Sequence, residues 1–274
     1  MKLRIGIIGC GGIATGKHLS ALKSNGDLCE VVAFCDGILD RAKKAAQEYG
    51  VENAQVCQNY NELLANPNVD VVYVLTPNIS HSPIAVDAFH AGKHVMCEKP
   101  MAINTAEAEK MMTAWKESGK KFSIGYQNRY RADVRHLRSA CQNGDLGEIY
   151  YAKAYAIRRR GVPTWGSFIQ GSQQGGGPLI DIGTHSLDLA LWLMDNYDVE
   201  SVTGTVFKKL GKLPQATDGN LWGAWDTSKY DVEDSAIGYI KMKSGALVVL
   251  ESSWALNILE AREAEVTPVS YTHL

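Results

Sequence analysis

Leu3-Arg4-Ile5-Gly6-Ile7-Ile8-Gly9-Cys10-Gly11-Gly12-Ile13-Ala14 is the stretch that decides the fold. Its first half, Leu3–Gly9, is a short apolar run closed by a glycine, which predicts a buried strand. From Ile13 to Ser24 the apolar residues return at helical spacing. The turn between them has the pattern G-x-G-x-x-A. Gly9 permits a tight turn, Gly11 lets a backbone approach a pyrophosphate without a Cβ in the way, and Ala14 is small enough for helix to pack on strand. The N-terminus of that helix offers free N–H groups and a positive dipole end to phosphates. Gly9, Gly11, Gly12 and Ile13 are therefore candidate dinucleotide contacts.

The next apolar run, Val31–Asp36, ends in an acid. A carboxylate at that point accepts hydrogen bonds from the adenosine ribose hydroxyls and repels a 2′-phosphate. Gly37 follows, where an arginine would welcome that phosphate, so NAD is expected over NADP. The alternative for Asp36 is a simple turn or capping residue. Gly11-x-x-x-x-Gly16-Lys17 also fits the start of a P-loop, but His18 stands where a serine or threonine must bind magnesium.

The alternation continues. Asp40–Tyr49 is an Ala/Lys/Glu-rich helix, Val69–Leu75 a nearly continuous apolar strand, Pro83–Ala91 a helix, His94–Cys97 a strand, Thr105–Ser118 a helix and Phe122–Gly125 a short strand. Buried strands separated by helices predict an α/β domain, a doubly wound parallel sheet of Rossmann type, over residues 1–123. The second half reads differently. Ile149–Arg158, Val199–Lys208, Ser235–Lys243 and Ala246–Trp254 are strands, Lys243-Ser244-Gly245 is a hairpin turn, and Leu179–Met194 is the one strong helix. This predicts an α+β domain with a mostly antiparallel open sheet over residues 124–268, one face left for solvent or a partner subunit. Val269-Ser270-Tyr271-Thr272-His273-Leu274 follows no periodicity and matches a translated sequencing-library adapter. Residues 269–274 are expected to be non-native, with the native frame truncated near Pro268. The alternative is a disordered natural tail.

Composition narrows the function classes. Of 274 residues, 45% are hydrophobic and 21% charged, and the net charge is -2, which suits a globular chain with a buried core. The pI of about 6.4 gives no electrostatic grip on nucleic acid or an acidic membrane, and Arg158-Arg159-Arg160 is too short a basic run to supply one. None of the six cysteines forms a Cys-x-x-Cys pair, so no metal is expected and the thiols are expected to be buried in a reducing compartment. No leader pattern precedes the first strand and no apolar stretch approaches a membrane span, so a cytoplasmic protein is expected.

His94-Val95-Met96-Cys97 runs into Glu98-Lys99-Pro100. This puts a lysine at the carboxyl end of a parallel strand, where such sheets bind ligands. Pro100 fixes the backbone just after it, and a cis prolyl peptide there would aim Lys99 into the cleft. Gly9–Ala14, Thr76-Pro77-Asn78 with His81, Gly92-Lys93-His94-Val95, Glu98-Lys99-Pro100 and Gly177-x-x-x-Asp181-x-Gly183-x-His185 together resemble the Gfo/Idh/MocA oxidoreductase family, over roughly residues 3 to 257. Members usually continue past this length.

The resemblance implies a Rossmann domain, a C-terminal antiparallel sheet used for oligomerisation as a dimer or tetramer, and hydride transfer at the CH–OH carbon of a sugar or inositol. Carried over by position, Lys99 is the active-site lysine, Asp181 its paired acid and His185 the general acid/base. Thr76, Asn78 and Glu98 fall on the nicotinamide side of the cofactor, and His81 is a further cofactor-binding candidate. The chemistry suits these residue types. A histidine removes a hydroxyl proton near neutral pH. Asp181 and His185, four apart on a helix, share a face, so the carboxylate can orient the imidazole. Lys99 can hold the developing alkoxide. The alternatives are an N-cap role for Asp181 and a helix histidine satisfied by Asp181 or Asp188. Arg159 and Trp165 are candidate substrate contacts, and Trp222 and Trp225 lie in similar loop-like stretches. Besides an NAD-dependent sugar or polyol dehydrogenase, the sequence leaves open a cofactor-using glycosidase of the same fold and a non-catalytic sugar sensor.

Overall fold

The computed structural model describes residues 1–217, 226–258 and 262–270. It divides into two compact units, Met1–Gly125 and Tyr126–Leu274.

The N-terminal unit carries six strands: β1 (Leu3–Ile8), β2 (Cys29–Cys35), β3 (Gln55–Cys57), β4 (Val71–Val74), β5 (His94–Cys97) and β6 (Phe122–Ile124). They form one parallel sheet in the order β3-β2-β1-β4-β5-β6. Its helices are α1 (Leu19–Ser24), α2 (Leu39–Tyr49), α3 (Tyr60–Leu64), α4 (His81–His90) and α5 (Thr105–Ser118). Alternation along each strand sends side chains to both faces. Ile5 and Ile7 of β1 join Leu19, Ala42 and Ala45 in one apolar cluster. Ile8 joins Ile84, Ala88, Met111 and Ala114 in another. A sheet covered on both faces needs apolar residues at nearly every position, which is why these strands read as continuous runs. The strand order reverses between β1 and β4, which places a crevice at their carboxyl ends.

Two short elements, β3 and α3, stand where no periodicity was expected, because three and five residues are too few to show one. The helix expected from Ile13 is a helical run over residues 12–24 whose Ala14–His18 turn is of the wider π type.

The C-terminal unit holds β7 (Ile149–Ile157), β8 (Val199–Phe207), β9 (Ser235–Met242), β10 (Leu247–Ser253) and β11 (Arg262–Ser270), in the order β11-β7-β10-β9-β8. Among the described residues only the β10–β7 pairing is parallel. Its helices are α6 (Ala132–Asn143), α7 (Gly171–Gln174) and α8 (Thr184–Met194). Ala190 of α8 is clustered with Ala152, Ala154, Met242, Val248 and Leu250 of the sheet. On the opposite side Ile237 and Tyr239 of β9 are exposed, and the edge strand β8 is exposed along all nine residues. Gly245, at φ +91, closes the β9–β10 hairpin.

Neither α6 nor β11 was expected. β11 has a register shift between Arg262 and Glu265, with Ala264 at φ +50, and it contains Pro268, which an edge strand tolerates. The strand runs on through Val269 and Ser270, paired with Tyr151 and Ile149, so it takes in the first two residues of the stretch that showed no periodicity.

Candidate functional site

The N-terminal unit gathers its candidate residues on the carboxyl edge of the sheet. Gly9 follows β1 with φ +95, and a Cβ there would lie 2.6 Å from the Leu75 carbonyl oxygen, so only glycine makes this turn. A Cβ on Gly11 or Gly12 would meet nothing within 4 Å. The turn is thus open above Gly11 and Gly12, where the helical run begins, and Ile13 is exposed beside it. Asp36 closes the floor. Its Oδ2 accepts the Cys10 N–H at 2.8 Å and its Oδ1 accepts the Ile38 N–H at 2.8 Å. Asp36 is therefore a turn residue and a fixed carboxylate at the end of β2 at once. Burial, then the Asp36 charge, pushes the Cys10 thiol up to about 12, which makes it packing and not a nucleophile.

Thr76 follows β4, and its Oγ1 is buried with no hydrogen-bond partner. Half-buried Asn78 opens the short Asn78–Ser80 turn. His81, expected beside the cofactor, is turned inward instead. Only 1% exposed, its Nδ1 lies 2.7 Å from the Pro100 carbonyl oxygen and its Nε2 2.9 Å from that of Thr76. Its ring is committed to tying the segment after β4 to the one that carries Lys99. Burial holds the His81 pKa below its ordinary value, against the pull of the two carbonyls.

Glu98 and half-buried Lys99 follow β5, and the Lys99–Pro100 peptide is cis. Glu98 Oε2 accepts the Lys99 N–H at 3.0 Å, and Oε1 lies 2.7 Å from His18 Nε2. Burial raises the Glu98 pKa, but the His18 hydrogen bond, the His18 charge and the Lys99 contacts together overcome it, leaving the carboxyl below its usual range. Nothing local announces the His18–Glu98 pair, because its members are 80 residues apart. Lys93, in the Gly92–Val95 motif, is structural: its Nζ donates to the carbonyls of Asn66 at 2.7 Å and Val69 at 2.9 Å.

In the C-terminal unit Asp181 lies in a π-type turn, Leu179–Gly183, that leads directly into α8. It is buried, and its Oδ2 accepts the indole N–H of fully buried Trp254 at 2.9 Å. His185 lies in the first turn of α8 and meets Tyr126 edge-on, with ring centroids 6.3 Å apart. The Tyr126 hydroxyl bonds Thr184 Oγ1 at 2.8 Å. Asp188, one of the two acids considered for satisfying His185, is taken by Arg129 in a two-pronged ion pair. Burial raises the Asp188 pKa, with Arg129 opposing. Arg159 and Trp165 are exposed, and Trp165 packs on Phe168 at 4.9 Å. Trp222 and Trp225 lie outside the described residues. Among the described residues, no group of three or more His, Cys, Asp or Glu could hold a metal ion, and no helix is long and apolar enough to cross a membrane.

The open glycine turn, the fixed Asp36 carboxylate and the orphaned Thr76 hydroxyl fit a dinucleotide: a pyrophosphate over Gly11–Gly12, a ribose at Asp36 and a polar group near Thr76. Comparison with known proteins agrees. Residues 3–126 match the oxidoreductase family profile with an NAD-binding Rossmann fold, and residues 134–267 match the Gfo/Idh/MocA C-terminal domain. The chain belongs to the Gfo/Idh/MocA oxidoreductase family. Its N-terminal unit is an NAD(P)-binding Rossmann domain. D-glucoside 3-dehydrogenase of Escherichia coli K12 is 42% identical to this family member over 98% of the chain and 74% of its own length. Myo-inositol 2-dehydrogenase of Thermotoga maritima is 30% identical over 92% of the chain and 68% of its own length. Among solved structures, the aldose-aldose oxidoreductase of Caulobacter crescentus, complexed with glycerol, matches with a TM-score of 0.79 at 29% identity, covering 94% of this chain and 72% of that one.

Proposed function

We propose that this Gfo/Idh/MocA protein is an NAD-dependent dehydrogenase of a glucoside-like sugar or polyol, with Lys99, Asp181 and His185 as its reacting side chains. The observation that carries the reading is the position of Lys99. It follows β5 on the same sheet edge as the glycine turn after β1 and Asp36 after β2. The likeness to a D-glucoside 3-dehydrogenase favours a glucoside first and an inositol second.

Bound nicotinamide would take the hydride from the CH–OH carbon. The chain must then handle the hydroxyl proton and the charge left on oxygen. His185 accepts the proton, with the Asp181 carboxylate four residues before it as the acid that would orient the imidazole. Trp254 holds Asp181 through one carboxylate oxygen, which orients the acid. The Lys99 ammonium donates to the same substrate oxygen and stabilises it as the proton leaves. Gly9, Gly11, Gly12 and Ile13 receive the pyrophosphate and Asp36 the adenosine ribose. Thr76, Asn78 and Glu98 line the nicotinamide side, and Arg159 and Trp165 contribute to the sugar surface. A carboxylate at Asp36 followed by Gly37 favours NAD over NADP by charge. The exposed Ile237 and Tyr239 on the helix-free face, with the exposed β8 strand beside them, support a homo-oligomer formed through the open sheet. Residues 124–268 form the substrate and oligomerisation domain in this reading.

The test is a panel of alkyl glucosides, free hexoses and inositols with NAD and NADP, following NADH or NADPH absorbance and released sugar together. NADH appearing with a keto-sugar product supports the dehydrogenase. Released sugar without net NADH replaces it with the glycosidase reading, and NADH binding without either signal replaces it with the sensor.

A further inference from the structure

We infer that His18 is a positioning residue that keeps Glu98 from drawing Lys99 out of its working position. The inference rests on the reading of Lys99 as the reacting amine. His18 ends the π-type turn, Ala14–His18, and the next helix, α1, begins one residue later. A π turn inside a helix is uncommon and frequently marks a functional position. From there the ring reaches Glu98 at 2.7 Å, with side chains only 14% and 12% exposed. Tyr73 meets the ring edge-on at 5.8 Å.

The carboxylate is gripped on three sides. His18 holds Oε1, the Lys99 N–H holds Oε2, and a Cβ on Gly125 would come within 3.1 Å of Oε1, so glycine after β6 makes the room. The charge of Lys99 already interacts with this carboxyl. A mostly buried carboxylate without a partner is costly, so it captures the nearest cation. Without His18 the cation closest along the chain is the Lys99 ammonium, on the residue whose N–H the same carboxylate already holds. His18 thus joins the helical run behind the glycine turn to the segment that presents Lys99.

The experiment reads Lys99 directly, without cofactor or substrate. The full chain is labelled with dilute acetic anhydride at fixed pH, and the Lys99 peptide is quantified by mass spectrometry with Lys17 and Lys43 as exposed internal standards. His18→Leu is expected to slow Lys99 labelling at least about threefold, the scale of one partly exposed ion pair. His18→Leu/Glu98→Gln is expected to restore at least the parent rate, because the capturing charge is gone. An unchanged rate in His18→Leu, or slowing that persists in the double variant, overturns the inference. If His18→Leu does not fold, Glu98→Gln alone decides: Lys99 labels faster than in the parent, by about twofold or more, and an unchanged rate overturns the inference. In the activity arm, His18→Leu lowers kcat while the Kd for NADH, from fluorescence titration, moves less than about threefold. A parent protein that turns over no sugar defeats the proposed function, yet the labelling pattern still decides the role of His18.

Discussion

Replacing Gly9 and Gly11 separately by alanine distinguishes a glycine the fold requires from one the cofactor requires. At Gly9 the backbone sits at φ +95 and the new methyl would meet the Leu75 carbonyl oxygen at 2.6 Å. The left-handed conformation costs about 1–2 kcal/mol for an L residue. Overpacking against backbone that cannot turn away adds roughly 1–3 kcal/mol. The total of about 2–5 kcal/mol lowers Tm by on the order of 10 °C for a domain of this size. At Gly11 the methyl meets nothing within 4 Å, so stability without cofactor stays within about 0.5 kcal/mol. It does occupy the space given to the pyrophosphate. Losing one charge-assisted N–H bond to phosphate, about 1.5–3 kcal/mol, weakens NADH binding roughly 10- to 100-fold. The assays are thermal unfolding without ligand and NADH fluorescence titration, with ligand-induced stabilisation as a cross-check. A Gly11→Ala protein that binds NADH like the parent, or a Gly9→Ala protein as stable as the parent, refutes the reasoning.

Lys99→Met is expected to reduce kcat by about 100-fold or more, the scale of a lost oxyanion donor, while the Kd for NADH moves less than about threefold; parent-like turnover would remove Lys99 from the chemistry. Asp234 is 1% exposed, and its Oδ2 accepts the N–H groups of Lys209 at 2.6 Å, Leu210 at 2.7 Å and Gly211 at 2.9 Å. Asp234→Ala strands three donors and is expected to lower urea-unfolding stability by about 3–5 kcal/mol, and a loss under about 1 kcal/mol would contradict that. His81 has a depressed pKa in the fold, relative to an ordinary 6.5. Below that pH the unfolded chain takes up a proton that the folded one resists, so stability falls as pH drops. His81→Gln should flatten this slope below pH 6.5, and an unaltered slope assigns the acid sensitivity to other groups.

The N-terminal unit was legible because both faces of its sheet are covered, so β1, β2, β4 and β5 had to be written almost wholly in apolar residues. The glycine turn and Asp36 were legible because their spacing is imposed by a ligand-sized backbone shape. What escaped the reading was short or nonlocal. β3 and α3 carry too few residues for a period, and α6 carries a single buried side chain, Val134. β11 is broken by a register shift near Ala264 and contains Pro268, so its pattern does not read as a strand. At the site, Asp36 and Lys99 were found from strand ends, but His18 was noted only as a residue unfit for a P-loop. Its partner Glu98 becomes a neighbour only once β1 and β5 share a sheet. His81 was misjudged for the same reason: its position in sequence gives no sign that the Thr76 and Pro100 carbonyls close on its ring.

The central claim is that a hydride leaves a sugar or polyol carbon for nicotinamide at this site. The most direct measurement uses an alkyl glucoside deuterated at its ring CH–OH carbons, turned over with NAD, and the mass of the recovered NADH. Hydride transfer at this site yields NADH heavier by one deuterium, formed in step with a keto-sugar and lost in Lys99→Met. Turnover of the deuterated sugar that leaves the cofactor without deuterium would contradict it.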